Sequence, residues 1–399
     1  MTQFKLETSP NLGHLQPSMT LGITAKAKAL AAEGHNVASL CAGEPDFDTP
    51  EHIKEAAIAA LRAGDTKYTP ATGRADLKAA IADKLREEND VPAEAGQVIV
   101  APGAKFSVFS AVAALCSEGD EVLLPVPFWL SYAEMVHAAG ATAVLIPTRA
   151  ENDYCPSADD LRDKITERTK LLILNTPSNP TGGLCCRASL ESIAELACKH
   201  NFMVLADEIY EKLVYDPGHE HVSIASLGEE IAQRTITVNG FSKAYSMTGW
   251  RLGYLHAPKW LTDRIGALQS HSTSNPTSFA QAGALAALNG PSEPVDTMRN
   301  AFRERRDLIH SLLSGIEGVN VTLPRGAFYI FADISSFGLD SMTFADRCLN
   351  EAELAVIPGK PFGVDTHVRL SYAYGQETIT EACGRLRDFC ATLRNSQRS

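Results

Sequence analysis

Apolar, β-branched runs recur along the first three quarters of the chain: QVIVA (97–101), EVLLPV (121–126), TAVLIP (142–147), KLLILN (170–175), FMVLAD (202–207) and TITVNG (235–240). Around them lie longer segments whose apolar residues return every three or four positions, among them LKAAIADKLREE, KFSVFSAVAALCSEG and LESIAELACKHN. A short continuous apolar run fits a strand buried on both faces, and the three-and-four spacing fits an amphipathic helix. Strands alternating with helices predict βαβ units. The expected class is therefore α/β, with a mostly parallel sheet covered by helices.

After about residue 290 the pattern changes. NGPSEP breaks the alternation, and TMRNAFRERRDLIHSLLSGI predicts a long charged helix ending at a glycine. The strand-like runs AFYIFADI and HVRLSYA and a last helix, ETITEACGRLRDFCATLRN, complete a smaller α+β unit. The expected division is an N-terminal arm with part of the small domain (1–44), a large domain (45–290) and a small C-terminal domain (291–399).

Composition narrows the function classes. At 399 residues the chain suggests about two to three domains. Its 45% hydrophobic and 21% charged residues are those of a soluble globular protein. A net charge of −12 without a basic block argues against nucleic-acid binding, which needs clustered Lys and Arg to neutralise phosphates. No segment reaches the ~20 apolar residues of a membrane span, and residues 1–17 carry no signal-like apolar core. Nine scattered cysteines without a CxxC pair disfavour a disulfide framework or a zinc site. A cytoplasmic protein is expected. His219–Glu220–His221 is not HExxH and reads as a solvated loop after YDPG, so no metal is assigned.

Chemistry is expected beyond the carboxyl ends of the parallel strands. Three loops there carry NTPSNPTG (175–182), DEIY (207–210) and NGFSKAYSMTGWR (239–251). Lys243 lies among small residues that would admit a bulky ligand; a lysine amine forms a Schiff base with a carbonyl once desolvation lowers its pKa. Asp207, after FMVLA, could keep a ring nitrogen protonated and so make an aromatic ring an electron sink. Tyr210 and Asn179 could donate to a phenolate oxygen. APGAKFSVFSA (101–111) runs from a strand through Pro-Gly into a helix, so the amides of Gly103, Ala104 and Lys105 would point at an anion, with Arg251 adding a charge-assisted contact. GxGxxG, GxxxxGK[ST] and GxSxG are absent, which removes support for dinucleotide, P-loop and α/β-hydrolase sites.

With AGEPDFDTP (42–50), KYTPATG (67–73), NTPSNPTGG (175–183), ADEIYEKLVY (206–215), SKAYSMTGWRLGY (242–254) and HVRLSYA (367–373) in this order, the chain resembles the class I/II aminotransferases. These are pyridoxal-phosphate enzymes of fold type I, and the likeness is strongest to the bacterial-type aspartate branch. The match runs from about Ser18 to the last helix. The resemblance implies that Lys243 is the Schiff-base lysine, that Asp207 faces the pyridine nitrogen, and that Tyr210 and Asn179 face the ring oxygen. It implies a phosphate cup of Gly103, Ala104, Lys105 and Arg251, and Trp129 stacked on the ring. Tyr68 would reach the phosphate of a neighbouring subunit, hence a homodimer with shared sites. Arg369 would clamp the substrate α-carboxylate, and Gly43 would lie in the loop beside the substrate.

One position departs from the family pattern. Many relatives have serine three residues before the lysine, where this chain has Gly240; either Ser242 supplies the hydroxyl instead or the site does without one. Lys105 with Thr20 implies a reader for a distal carboxylate, which favours aspartate and glutamate with their 2-oxo acids and extends to prephenate. Aromatic amino acids are the second reading. A ligand-sensing module without catalysis is the third.

Overall fold

The structure is a computed structural model that describes residues 12–13, 15–17 and 19–398. Ser18, where the resemblance begins, and residues 1–11 lie outside the described residues. A seven-stranded sheet forms the centre, in the spatial order Val98–Ala101, Gly253–His256, Thr235–Gly240, Met203–Asp207, Thr169–Asn175, Glu121–Val126 and Thr142–Pro147. The six apolar runs of the sequence are six of these strands. The seventh, Gly253–His256, was not among them. It runs antiparallel between Val98–Ala101 and Thr235–Gly240, whereas the pairings among the other strands are parallel.

Burial on both faces explains the inner runs, whereas the edge strand Thr142–Pro147 buries only Ile146. Along Thr169–Asn175, Leu171 and Ile173 pack into a core with Val108 and Val112 of the helix Ala104–Leu115. Leu172 and Leu174 point the other way, onto Leu190, Ile193 and Ala197 of the helix Arg187–His200. This two-residue alternation turns Leu171 to Leu174 inward on one side or the other. The result is the expected α/β architecture, helices covering both faces of a mostly parallel sheet.

The C-terminal third forms a second, four-stranded antiparallel sheet, ordered Ile357–Pro358, His367–Ser371, Tyr329–Asp333 and Asn320–Val321. The helices Glu293–Ser314 and Gln376–Arg398 pack beside it. Its core also takes Ala38, Leu40, Ile209 and Tyr210 from earlier in the chain. Packing of Ile209 and Tyr210 into that core brings the DEIY loop against the second sheet.

Two expectations need correction. Cys155 and Cys185 are joined in a disulfide, with Cα atoms 5.2 Å apart. Spacing hid this pair because the loop after Thr142–Pro147 meets the end of the NTPSNPTGG loop only in the fold. His221 is not in a solvated loop: its side chain is buried with Nε2 3.2 Å from Glu208 Oε2. Glu208, Glu211 and His221 stand close enough to share an ion. Their neighbours are protein groups, however: Ser223 donates to Glu208, and Lys84 and Asn89 donate to Glu211.

Candidate active site

The carboxyl ends of the central strands and the second sheet enclose a cavity of about 890 Å³. Thr20, Gly43, Ala104, Lys105, Trp129, Asn179, Asp207, Tyr210, Ser242, Lys243, Arg251 and Arg369 all line it. Of the candidates, Gly103 is buried against the Arg251 guanidinium and does not itself line the cavity. Tyr68 stands apart, 90% exposed and outside the cavity lining.

Asp207 ends its strand and is 5% exposed. Tyr132 donates to its Oδ2 at 2.6 Å and the Ile209 amide to its Oδ1 at 3.3 Å. Burial raises its pKa to about 6 in spite of those donors. Among the described residues no cation pairs with it directly, Lys243 acting only through space, and a protonated ring nitrogen would fill that place.

Lys243 follows the strand Thr235–Gly240 by three residues, and its Nζ donates to the Gly43 carbonyl. The side chain touches the cavity yet is surrounded by protein. Desolvation lowers its pKa to about 8; Glu44 opposes that shift, and the Arg369 and Arg251 cations add to it. Asp207 pulls the same way as Glu44, so it is the loss of solvent, helped by the two arginines, that makes this lysine a usable nucleophile.

The glycines explain the anion cup. Gly103 has φ +89°, and a Cβ there would lie 2.5 Å from an Arg251 guanidinium nitrogen. Arg251, itself at φ +53°, donates from Nη1 to the Thr248 carbonyl at 2.9 Å. The helix Ala104–Leu115 starts at this turn, so its free amides and dipole face the same space. Gly253 pairs with Gly240, and a Cβ on Gly253 would meet the Ala104 nitrogen at 2.2 Å. A Cβ on Gly240 would meet Gly253 Cα at 2.9 Å. Serine therefore has no room at 240 in this chain. Ser242, 8% exposed and lining the cavity, is the hydroxyl available nearby.

Arg369 is 2% exposed, which is costly for a guanidinium without partners. It donates from Nη1 to Asn179 Oδ1 at 2.9 Å and from Nη2 to the Cys41 carbonyl at 3.1 Å, while Nε has no partner. Tyr329 and Phe362 flank the guanidinium, with ring centroids 4.4 and 5.3 Å away. Asn179 is tied back through its amide to Asn175 Oδ1 at 2.8 Å, and Asn175 Nδ2 donates to the Asp207 carbonyl at 2.9 Å. One chain of hydrogen bonds thus runs from Asp207 to Arg369. At the far wall the Lys105 ammonium lies 4.9 Å from the Trp129 ring centroid, its pKa lowered by burial and then by Arg251. Thr20 Oγ1 is buried without a partner.

Sequence reasoning missed Tyr132, Asn175 and Tyr329. Tyr132 could have been found one helical turn after Trp129 in PFWLSY, and Asn175 opens the loop already singled out. Tyr329 carried no signal beyond an aromatic in a strand.

Comparison with known proteins agrees with this geometry. Residues 35–386 match the family model for aminotransferases of class I and II. The chain is 43% identical to an aspartate aminotransferase of Bacillus subtilis over 96% of its length and 99% of that protein's. It is 43% identical to an aspartate/prephenate aminotransferase of Cereibacter sphaeroides, over 96% of this chain and 99% of the relative. Among solved structures, the aspartate aminotransferase of Thermus thermophilus with maleate superposes with a TM-score of 0.93 at 40% identity, covering 96% of this chain and 100% of that one. The chain belongs to the class I and II aminotransferases. It is a pyridoxal-phosphate enzyme, and the residues in the cavity fit that group: a buried carboxylate short of a cation, a desolvated amine, and a glycine turn kept open beside an arginine.

Proposed function

We propose that the chain moves the amino group of aspartate or glutamate to a 2-oxo acid, prephenate included, by a ping-pong mechanism. The observation that carries this reading is one cavity with Lys243 and Asp207 in its floor, the Arg369 cation in one wall and Lys105 in another. Two fixed cations suit a substrate with two carboxylates. Arg369, already held by Asn179 and Cys41, offers Nε and its remaining N–H groups to the α-carboxylate, and Lys105 with Thr20 reads the distal one.

When bound, pyridoxal 5′-phosphate supplies a carbonyl for amines and a sink for charge released at the substrate Cα. In this reading the amides of Gly103, Ala104 and Lys105 hold its phosphate with Ser242 and Arg251. Asp207, kept in place by Tyr132, faces the ring nitrogen, Trp129 covers the ring, and Tyr210 and Asn179 donate to the ring oxygen. Lys243, with a pKa near 8, is the group that takes the proton from Cα. Gly43 lines the approach.

The exposure of Tyr68 supports a homodimer, since it lies outside its own cavity and is open to reach that of a second copy. No described helix is long and apolar enough to cross a membrane, and we place the enzyme in the cytoplasm. We read 45–290 as the cofactor-binding domain and 291–399, with part of 1–44, as the small domain.

A panel of half-reactions followed by cofactor absorbance tests the reading, with aspartate, glutamate, tyrosine, phenylalanine and arogenate as donors. Aspartate and glutamate are expected to react fastest. Aromatic donors faster by orders of magnitude would overturn the substrate assignment.

A further inference from the structure

Tyr329 lies where two working groups meet. Its hydroxyl is 3.1 Å from the Tyr210 hydroxyl, and its ring lies 4.4 Å from the Arg369 guanidinium carbon. The side chain is 1% exposed and lines the cavity, so neither contact is shared with bulk water. We propose that Tyr329 is a positioning residue that couples the carboxylate clamp Arg369 to the oxygen-donor Tyr210. The inference rests on the functional reading above and deepens it.

The coupling follows from what a phenol can do at each end. Its hydroxyl can donate or accept, so the Tyr210–Tyr329 pair has two directions. With nothing on the ring-oxygen side, Tyr210 can give its hydrogen to Tyr329. With an acceptor in the cavity, Tyr210 turns its hydrogen to it, and Tyr329 donates to the oxygen Tyr210 leaves open. That second arrangement polarises Tyr210 and strengthens its outward bond. At the other end, the ring face of Tyr329 attracts the Arg369 cation. A carboxylate arriving on Arg369 draws on that cation and changes the field at the same phenol. The substrate's α-carboxylate is thereby sensed at the cofactor oxygen with no movement of the backbone.

The test separates the two contacts. Tyr329→Phe keeps the ring under Arg369 and removes the hydroxyl; Tyr329→Leu removes both. Two quantities are read on holoenzyme: the pH midpoint of the cofactor's absorbance change, and the dissociation constant of maleate, a dicarboxylate with no amine to react. Losing one hydrogen bond to Tyr210 in Tyr329→Phe should raise the midpoint by about half a unit and leave maleate binding within about twofold. Tyr329→Leu should in addition weaken maleate by roughly threefold to tenfold. In a Tyr210→Phe background, Tyr329→Phe should shift the midpoint no further, because the two act in series. A wild-type midpoint in Tyr329→Phe, or full additivity with Tyr210→Phe, overturns the coupling while leaving the functional reading intact. A wild-type protein whose band does not respond to pH or maleate overturns the reading itself, and the coupling with it.

Discussion

Tyr132 donates its phenolic hydrogen to Asp207 Oδ2 at 2.6 Å, and both side chains are buried. Tyr132 stands in the helix Ser131–Ala138 and Asp207 at the end of its strand, so the bond fixes the carboxylate from a separate element. Removing it in Tyr132→Phe leaves a buried carboxylate with one weaker donor and pushes its pKa above about 6. A carboxyl more easily protonated is a poorer partner for a ring cation. The expected result is a loss of about tenfold in kcat/KM at neutral pH, from a lost charge-assisted hydrogen bond of about 1.5 kcal/mol. The loss should shrink at higher pH, which a pH–rate profile of the two proteins would show; a uniform loss at every pH would contradict this role.

Lys243 gives a stability prediction for the cofactor-free protein. Its pKa in the fold is lowered from 10.5 to about 8 by desolvation, so the folded state binds fewer protons than the unfolded state between those values. The folded protein is thus penalised below about pH 8, and the penalty is relieved as pH rises from 8 to 10.5. Lys243→Met should raise apoprotein stability by about 1–2 kcal/mol at pH 7, with the gain fading by pH 10.5. Urea unfolding of both apoproteins across that range measures it. The same substitution abolishes turnover if Lys243 moves the Cα proton.

Close backbone approach predicts intolerance at two glycines. Gly253→Ala places a Cβ 2.2 Å from the Ala104 nitrogen, where only main chain can give way, and should destabilise by about 3 kcal/mol while loosening cofactor retention. Gly240→Ser restores the hydroxyl found in many relatives. Here it should still cost about 1–3 kcal/mol, since the nearest atom is Gly253 Cα at 2.9 Å. Thermal unfolding with and without cofactor decides both cases.

Lys105 separates substrate recognition from cofactor chemistry. Lys105→Met keeps the length of the side chain beside Trp129 and removes the charge that lies over its ring. The kcat/KM for aspartate should fall roughly tenfold to a hundredfold, the value of one charge-assisted contact, and that for phenylalanine by less than about threefold. Equal losses for both donors would assign Lys105 to the phosphate alone.

The two-faced strands were legible because a buried parallel strand has to be apolar at every position, and few other elements share that pattern. Gly253–His256 escaped because GYLH is short, opens on a glycine and closes on a histidine, without the apolar length of its neighbours. At the site, a lone Lys or Asp at a strand end has an ordinary reading as a solvated loop or turn residue, and it is the motifs around Lys243, Asp207, Arg251 and Arg369 that single them out; the fold brings them to one cavity. Tyr132 and Tyr329 could not be read in advance, because a buried tyrosine has the same sequence signature whether its hydroxyl serves a carboxylate or fills a core. His221 and the Cys155–Cys185 pair were hidden for a related reason: each depends on a partner distant in the chain.

The single antiparallel strand has a consequence for evolution by insertion. Because Gly240 and Gly253 face each other in register, residues 241–252 form a closed span with both ends pinned to the same rung of the sheet. Lys243 and Arg251 are mounted near its two ends, so their separation is gauged by the span's own length, independently of the surrounding helices. One residue added or removed there would displace an amine relative to a guanidinium, whereas the same change in the loop after Thr142–Pro147 would move neither. The span behaves as a calliper whose jaws are those two cations.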